Sequence, residues 1–197
     1  MGTTIIRIFW VLGLALLLLL PLTLLLQWGF WTPASAQETE AKAQYIGSMK
    51  CAKVCHKTAK QGQQLKIWQA SEHAKAFETL GTPEAKKIAA EKGIADPQTA
   101  EACLKCHVTA AGASDDLKGT KYSDAEGVGC ERCHGPGSLY KKRSTMKDRA
   151  KSVAAGLLLP DEKTCLGCHN EESPTYEAFN YEEFQKKIAH PKPEPKG

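Results

Sequence analysis

Residues 127–137 read Gly-Val-Gly-Cys-Glu-Arg-Cys-His-Gly-Pro-Gly. At their centre Cys130 and Cys133 are three positions apart, and His134 follows at once. Residues three apart share one side of a helical turn, so both sulfurs can reach a single object. The same five-residue pattern recurs at Cys103, Cys106 and His107, and again at Cys165, Cys168 and His169. A fourth copy, Cys51-Ala52-Lys53-Val54-Cys55-His56, has one residue too many between its cysteines. The chain has 8 cysteines and 6 histidines. The four pairs use every cysteine, and four of the histidines sit in this one relative position.

Three chemistries compete for such pairs. Disulfides are the default for eight cysteines in an exported chain, but they give no reason for paired spacing. Zinc needs tetrahedral sets such as two Cys-x-x-Cys pairs, and it does not ask for a histidine directly after each pair. Covalent haem asks for all of it. Two thiols add to the vinyl groups of one porphyrin, and the adjacent imidazole becomes an axial iron ligand. The reading is therefore four covalent haem c groups, held through Cys51, Cys55, Cys103, Cys106, Cys130, Cys133, Cys165 and Cys168, with His56, His107, His134 and His169 as proximal ligands. The irregular first copy is read as a working site, because i and i+4 also share a helix face. No thiol is then left for a disulfide, and the porphyrins are expected to supply much of the apolar interior.

The front of the chain fixes the compartment. Ile8 to Leu26 carries no charge and is dominated by Leu, with Arg7 ahead of it and Ala34-Ser35-Ala36 behind. This reads either as a secretory signal with an A-x-A cleavage site or as an uncleaved anchor over residues 8–31, since about 20 apolar residues span a bilayer. Either way, residues 37–197 are expected in the periplasm. The formal charge of the chain is +4, too weak and interspersed to argue for nucleic acid. Its densest basic stretch is Lys141 to Lys151, which reads as a solvated helix face or a dock for an acidic partner.

The expected fold class is mainly α with long irregular segments, a multihaem domain organised around its cofactors. Helices are expected over Gln63 to Leu80, with His73, Phe77 and Leu80 on one stripe, and over Pro83 to Lys92, stopped by Gly93. Another is expected to open at Asp96-Pro97 and carry Cys103 to His107. Ser144 to Gly156 and Tyr181 to Ile188 complete the set. Val108 to Gly129 reads as a loop, and the tail 191–197 as disordered.

The stretches "YIGSMKCAKVCHK", "SEHAKAFETL", "CLKCH", "GVGCERCHGPG" and "CLGCHN" occur in an order that resembles the tetrahaem cytochrome c-554 family, from about Tyr45 to His190. The resemblance implies haems in close stacked pairs and electron transfer from hydroxylamine oxidoreductase, a multihaem donor, to a membrane or soluble cytochrome acceptor. It implies His73 as the distal ligand of the fourth haem and His190 as that of the third. The second haem of the family's best-known member has no distal ligand. Its first haem takes a histidine from the segment after the Gly-Pro-Gly corner, where this chain has none. Met146 lies in that segment and is the candidate replacement. Six histidines cannot fill eight axial positions, so at least two lack imidazole. The leading functional reading is an electron carrier, not an enzyme. The alternative is turnover of nitric oxide, hydroxylamine or nitrite at a five-coordinate haem on His107.

Overall fold

In the computed structural model, residues 41–190 are described. The apolar run 8–31, the cleavage site at 34–36 and the tail 191–197 lie outside them. Among the described residues no helix is long and apolar enough to cross a membrane. Regular structure there is helical, apart from one isolated parallel bridge between Tyr45 and Lys118. The expected fold class is what the chain adopts.

Among the described residues ten short α-helices follow in order: α1 (Ser48–Cys51), α2 (Gln64–Gln69), α3 (Glu72–Thr79), α4 (Pro83–Glu91), α5 (Glu101–His107), α6 (Cys130–His134), α7 (Arg143–Met146), α8 (Arg149–Ala154), α9 (Glu162–Leu166) and α10 (Tyr181–Ile188). Their ends are set by local chemistry. Helix α4 begins at Pro83 behind Thr82, whose hydroxyl accepts from Ala85 N at 3.2 Å. Pro at the first position forgoes a donor that no carbonyl would have used. Helix α9 starts at a capping box between Asp161 and Thr164. Helix α10 is capped by Asn180, with Glu182 and Glu183 in its first turn and Lys186 and Lys187 in its last, as the helix dipole favours.

Three expected helices are shorter or broken. Gln63 to Leu80 divides into α2 and α3 at Ser71, whose hydroxyl turns back to the Trp68 carbonyl at 2.7 Å. A serine that bonds nearby backbone competes with the helix ladder. The His73, Phe77 and Leu80 stripe survives on α3 and its C-cap, with Leu80 buried. The helix expected to open at Asp96-Pro97 starts only at Glu101, because the Asp96 carboxylate takes Gln98 N at 2.9 Å and forms a turn. Ser144 to Gly156 becomes α7 and α8, split where Asp148 caps α8 through Lys151 N at 3.0 Å.

The loop 108–129 is tied down rather than loose. His73 O accepts from Val128 N at 2.9 Å, and Val128 O accepts from the Trp68 indole at 2.8 Å. At Gly127, with φ +66°, a Cβ would lie 2.7 Å from the His73 carbonyl oxygen, so the loop meets α3 backbone to backbone. Buried apolar side chains are few and mostly small: Ile46, Ala52, Leu80, Ala89, Val108, Ala110, Val128 and Tyr140. Ser48, Thr109, Glu131 and Ser152 are buried beside them. Protein side chains alone give this domain little apolar interior.

Candidate haem centres

The second and third motifs sit on helical turns, Glu101–His107 and Cys130–His134. The third ends at Gly135, whose φ of 75° is open to glycine without cost. The fourth motif straddles the end of α9, with Cys168 N and His169 N both returning to the Cys165 carbonyl, at 3.1 and 3.0 Å. The first motif solves its extra residue by a change of helix type. Ala52–His56 is a π-helical turn continuing directly from α1. A π turn closes by i→i+5 bonds and so holds one more residue than an α turn, and the inserted residue is absorbed without interrupting the turn.

The motifs meet in space by their thiols. Cys51 lies beside Cys130, and that neighbour and burial push its pKa far above the thiol range. Cys106 interacts with Cys168 and is pushed up to about 11, mainly by burial. Cys133 is likewise pushed up to about 11 by burial and by Cys165. None of the eight cysteines is in a disulfide. The first motif therefore lies against the third, and the second against the fourth, with the third and fourth also close. The Arg132 guanidinium donates to Cys168 Sγ at 3.3 Å and bridges the third and fourth.

Four of the six imidazoles lie in two edge-on pairs. His73 and His169 have ring centroids 6.0 Å apart at 64°, and His134 and His190 have centroids 6.1 Å apart at 69°. Two imidazoles on opposite sides of one metal, each bonded through nitrogen at about 2 Å, have centroids roughly 6 Å apart. In four histidines Nδ1 is engaged at a protein oxygen: His56 with Gln64 Oε1 at 3.3 Å, His107 with Ala76 O at 2.6 Å, His134 with Leu158 O at 3.2 Å and His190 with Ile188 O at 3.3 Å. Such a bond fixes the ring and leaves Nε2 for a metal. Burial lowers the pKa of His73, His134 and His169, which favours the neutral imidazole that ligation needs. A cavity of about 300 Å³ is lined by Cys51, His56, Trp68, Cys130, Cys133 and His134, together with His73 and His190. The donors present fit covalent haem.

Other residues singled out by the sequence fall as follows. Met146 ends α7, half-buried, and is not among the residues bordering that cavity. Tyr122, the aromatic in the loop after His107, has its hydroxyl committed, accepting from Ala110 N at 2.9 Å and donating to Asp124 at 2.7 Å.

Two contributions were not read from the sequence. Glu131 lies between the cysteines of the third motif and is buried. Its carboxylate accepts from the N–H groups of Ile46 at 2.9 Å, Gly47 at 2.8 Å and Gly137 at 2.6 Å. Glu126 adds a bond from Ser48 N at 2.7 Å. Two acidic side chains thus hold the start of α1, and with it the first motif, against the third. Phe179 stacks on His169 at 4.7 Å and on Phe184 at 5.1 Å, with Lys187 over the outer ring at 4.3 Å. The x positions of a Cys-x-x-Cys-His run carry no pattern that separates an inward from an outward side chain, so Glu131 had no signal. The Phe179–Phe184 spacing spans a helix start, which conceals the stack.

Comparison with known proteins agrees with the geometry. The family model described as "Cytochrome c554 and c-prime" matches residues 50–135. "Cytochrome c-554" of Nitrosomonas europaea is 33% identical over 162 residues, covering 71% of this chain and 63% of that protein. The chain thus spans a little under two thirds of that relative's length. No solved structure matches.

Proposed function

From its similarity to the cytochrome c-554 family, we propose that the chain is a periplasmic tetrahaem c-type cytochrome that passes electrons between redox proteins. Residues 37–197 form the electron-carrying domain, and the segment 1–36 exports it as a signal or holds it to the inner membrane. The observation that carries the reading is the presence of two edge-on imidazole pairs, His73 with His169 and His134 with His190, at 6.0 and 6.1 Å. These support bis-histidine ligation of the fourth and third centres. Haem bound there would supply reversible one-electron chemistry. The chain's own part is to hold and tune. The thiols fix the porphyrin edge, the carbonyls of Leu158 and Ile188 orient His134 and His190 through Nδ1, and the contacts between motifs keep neighbouring centres close. The donor is a multihaem oxidoreductase and the acceptor another cytochrome.

Intact mass of the exported protein, produced with cytochrome c maturation, should show four haem additions. A count of three would mean that the π-helical first motif is inactive. Deleting Val54 restores the two-residue spacing and should leave the count at four, since an α turn serves the ordinary motif.

Met146 is assigned to the sixth position of the first centre by its place after Gly135-Pro136-Gly137, where the family carries a histidine. Methionine ligation raises a haem potential relative to bis-histidine. Met146→His should therefore lower one of four midpoints, within the roughly 0.8 V that axial ligands command, and leave three nearly unchanged. A redox titration in which none moves would reduce Met146 to packing.

A further inference from the structure

Between Lys141 and Lys151 the chain has six cations, Lys141, Lys142, Arg143, Lys147, Arg149 and Lys151, and one acid, Asp148. The segment therefore carries +5, more than the whole chain's +4. All six cations are exposed. Lys151 pairs with Asp148 at 3.3 Å, and among the described residues no carboxylate pairs with the other five. This is concentrated charge on an otherwise nearly neutral chain.

Its position matters as much as its sign. The segment holds α7 and the start of α8, and the chain on either side of these helices returns to one atom. The His134 carbonyl accepts from Tyr140 Oη at 3.0 Å and from Leu158 N at 2.9 Å. Beside the cations stand exposed apolar side chains: Val153, Leu158 and Leu159 are 45%, 56% and 50% exposed. A charged surround that steers encounter and an apolar patch that makes contact is the anatomy of a protein–protein interface.

We propose that residues 139–159 are the face on which an acidic redox protein docks to exchange one electron with the centre carrying His134. The proposal rests on the electron-carrier reading. The exchange moves one electron from a reduced partner to one ferric centre, with no bond made or broken, and runs in reverse when the potentials are reversed. Charge complementarity selects an acidic partner. An anionic membrane is the weaker occupant, since interfacial helices present one long amphipathic face, whereas α7 and α8 have 4 and 6 residues.

The test uses the haem-loaded full chain and reduced flavodoxin, a small acidic one-electron donor, in stopped flow. The second-order rate should fall as salt rises. The triple variant Lys141→Glu, Lys142→Glu, Arg143→Glu should be slower by about tenfold or more at low ionic strength, with a flattened salt dependence. A control with the same charge change on and just after α4, Lys86→Glu, Lys87→Glu, Lys92→Glu, should be slower by less than about threefold. Leu159→Ser should lower the rate while leaving the salt slope intact. Unchanged haem absorption spectra show that each variant is folded. Equal slowing in both triple variants, or none in either, overturns the proposal. So does loss of binding to phosphatidylglycerol vesicles in the first triple variant with an unchanged flavodoxin rate, which would assign the face to a membrane. Failure of wild-type protein to take up electrons from dithionite would instead sink the carrier reading.

Discussion

Glu131→Ala should lower the stability of the haem-loaded protein by about 3–5 kcal/mol, because it strands three N–H groups that the carboxylate now satisfies, and a buried unpaired donor costs roughly 1–3 kcal/mol. The groups are those of Ile46, Gly47 and Gly137. Burial raises the pKa of Glu131, while the bonds from Ile46, Gly137 and Gly47 pull it back down. For a domain of this size each kcal/mol corresponds to about 2–4 °C, so the thermal midpoint should fall by roughly 10 °C. Glu131→Gln separates charge from shape. Its oxygen, placed at Oε1, can still accept from Ile46 and Gly137, but its amide then faces the Gly47 N–H. An intermediate loss is expected. A midpoint for Glu131→Ala within about 2 °C of wild type would mean that water reaches these donors, and the clasp between first and third motifs would carry little.

That clasp also shows where sequence reading stopped. The Cys-x-x-Cys-His runs stand out in the sequence because covalent haem attachment demands residue types at fixed spacing, a constraint independent of the surrounding fold. The stripe of His73, Phe77 and Leu80 was legible because helical periodicity is local. What could not be read was any contact set by a side chain that breaks the period. Ser71, Asp96 and Asp148 each divert a backbone bond, and so split a helix or delay its start against what its hydrophobic pattern suggests. The π turn at Ala52–His56 belongs to the same class. Its extra residue is visible in the sequence, but the choice between a displaced sulfur and a wider turn depends on what α1 packs against. Long-range polar ties are harder still. Glu131 reaches Ile46 across 85 positions, and nothing in either segment announces the other. The pairing of first with third motif, and of second with fourth, follows from such ties and from thiol contacts, not from order along the chain.

Carbon monoxide should bind the reduced wild-type protein at one centre and the His73→Ala variant at two, with the high-spin share of oxidised iron rising from about a quarter to about a half. Four haems would offer eight axial positions to the chain's six histidines. His73 and His190 are paired with His169 and His134, so neither is available to the centre on His107. The loop after His107 contains no histidine or methionine, and Tyr122 within it is held by Ala110 and Asp124. With haem on all four motifs, an open iron on His107 is the expected result. Removing the His73 imidazole should open a second position, on the fourth centre, because α3 has no second imidazole and no thioether to replace it. His190→Ala should act in the same way on the third centre, and the two variants together should give three. The stoichiometry also reports on Met146. Two equivalents bound by wild type would mean that the first centre is open as well and that the thioether is not a ligand. No binding at all, with four low-spin irons, would remove both the open site and the small-molecule enzyme reading. One equivalent leaves that reading to be decided by turnover, since an open iron can tune a potential without ever meeting a substrate.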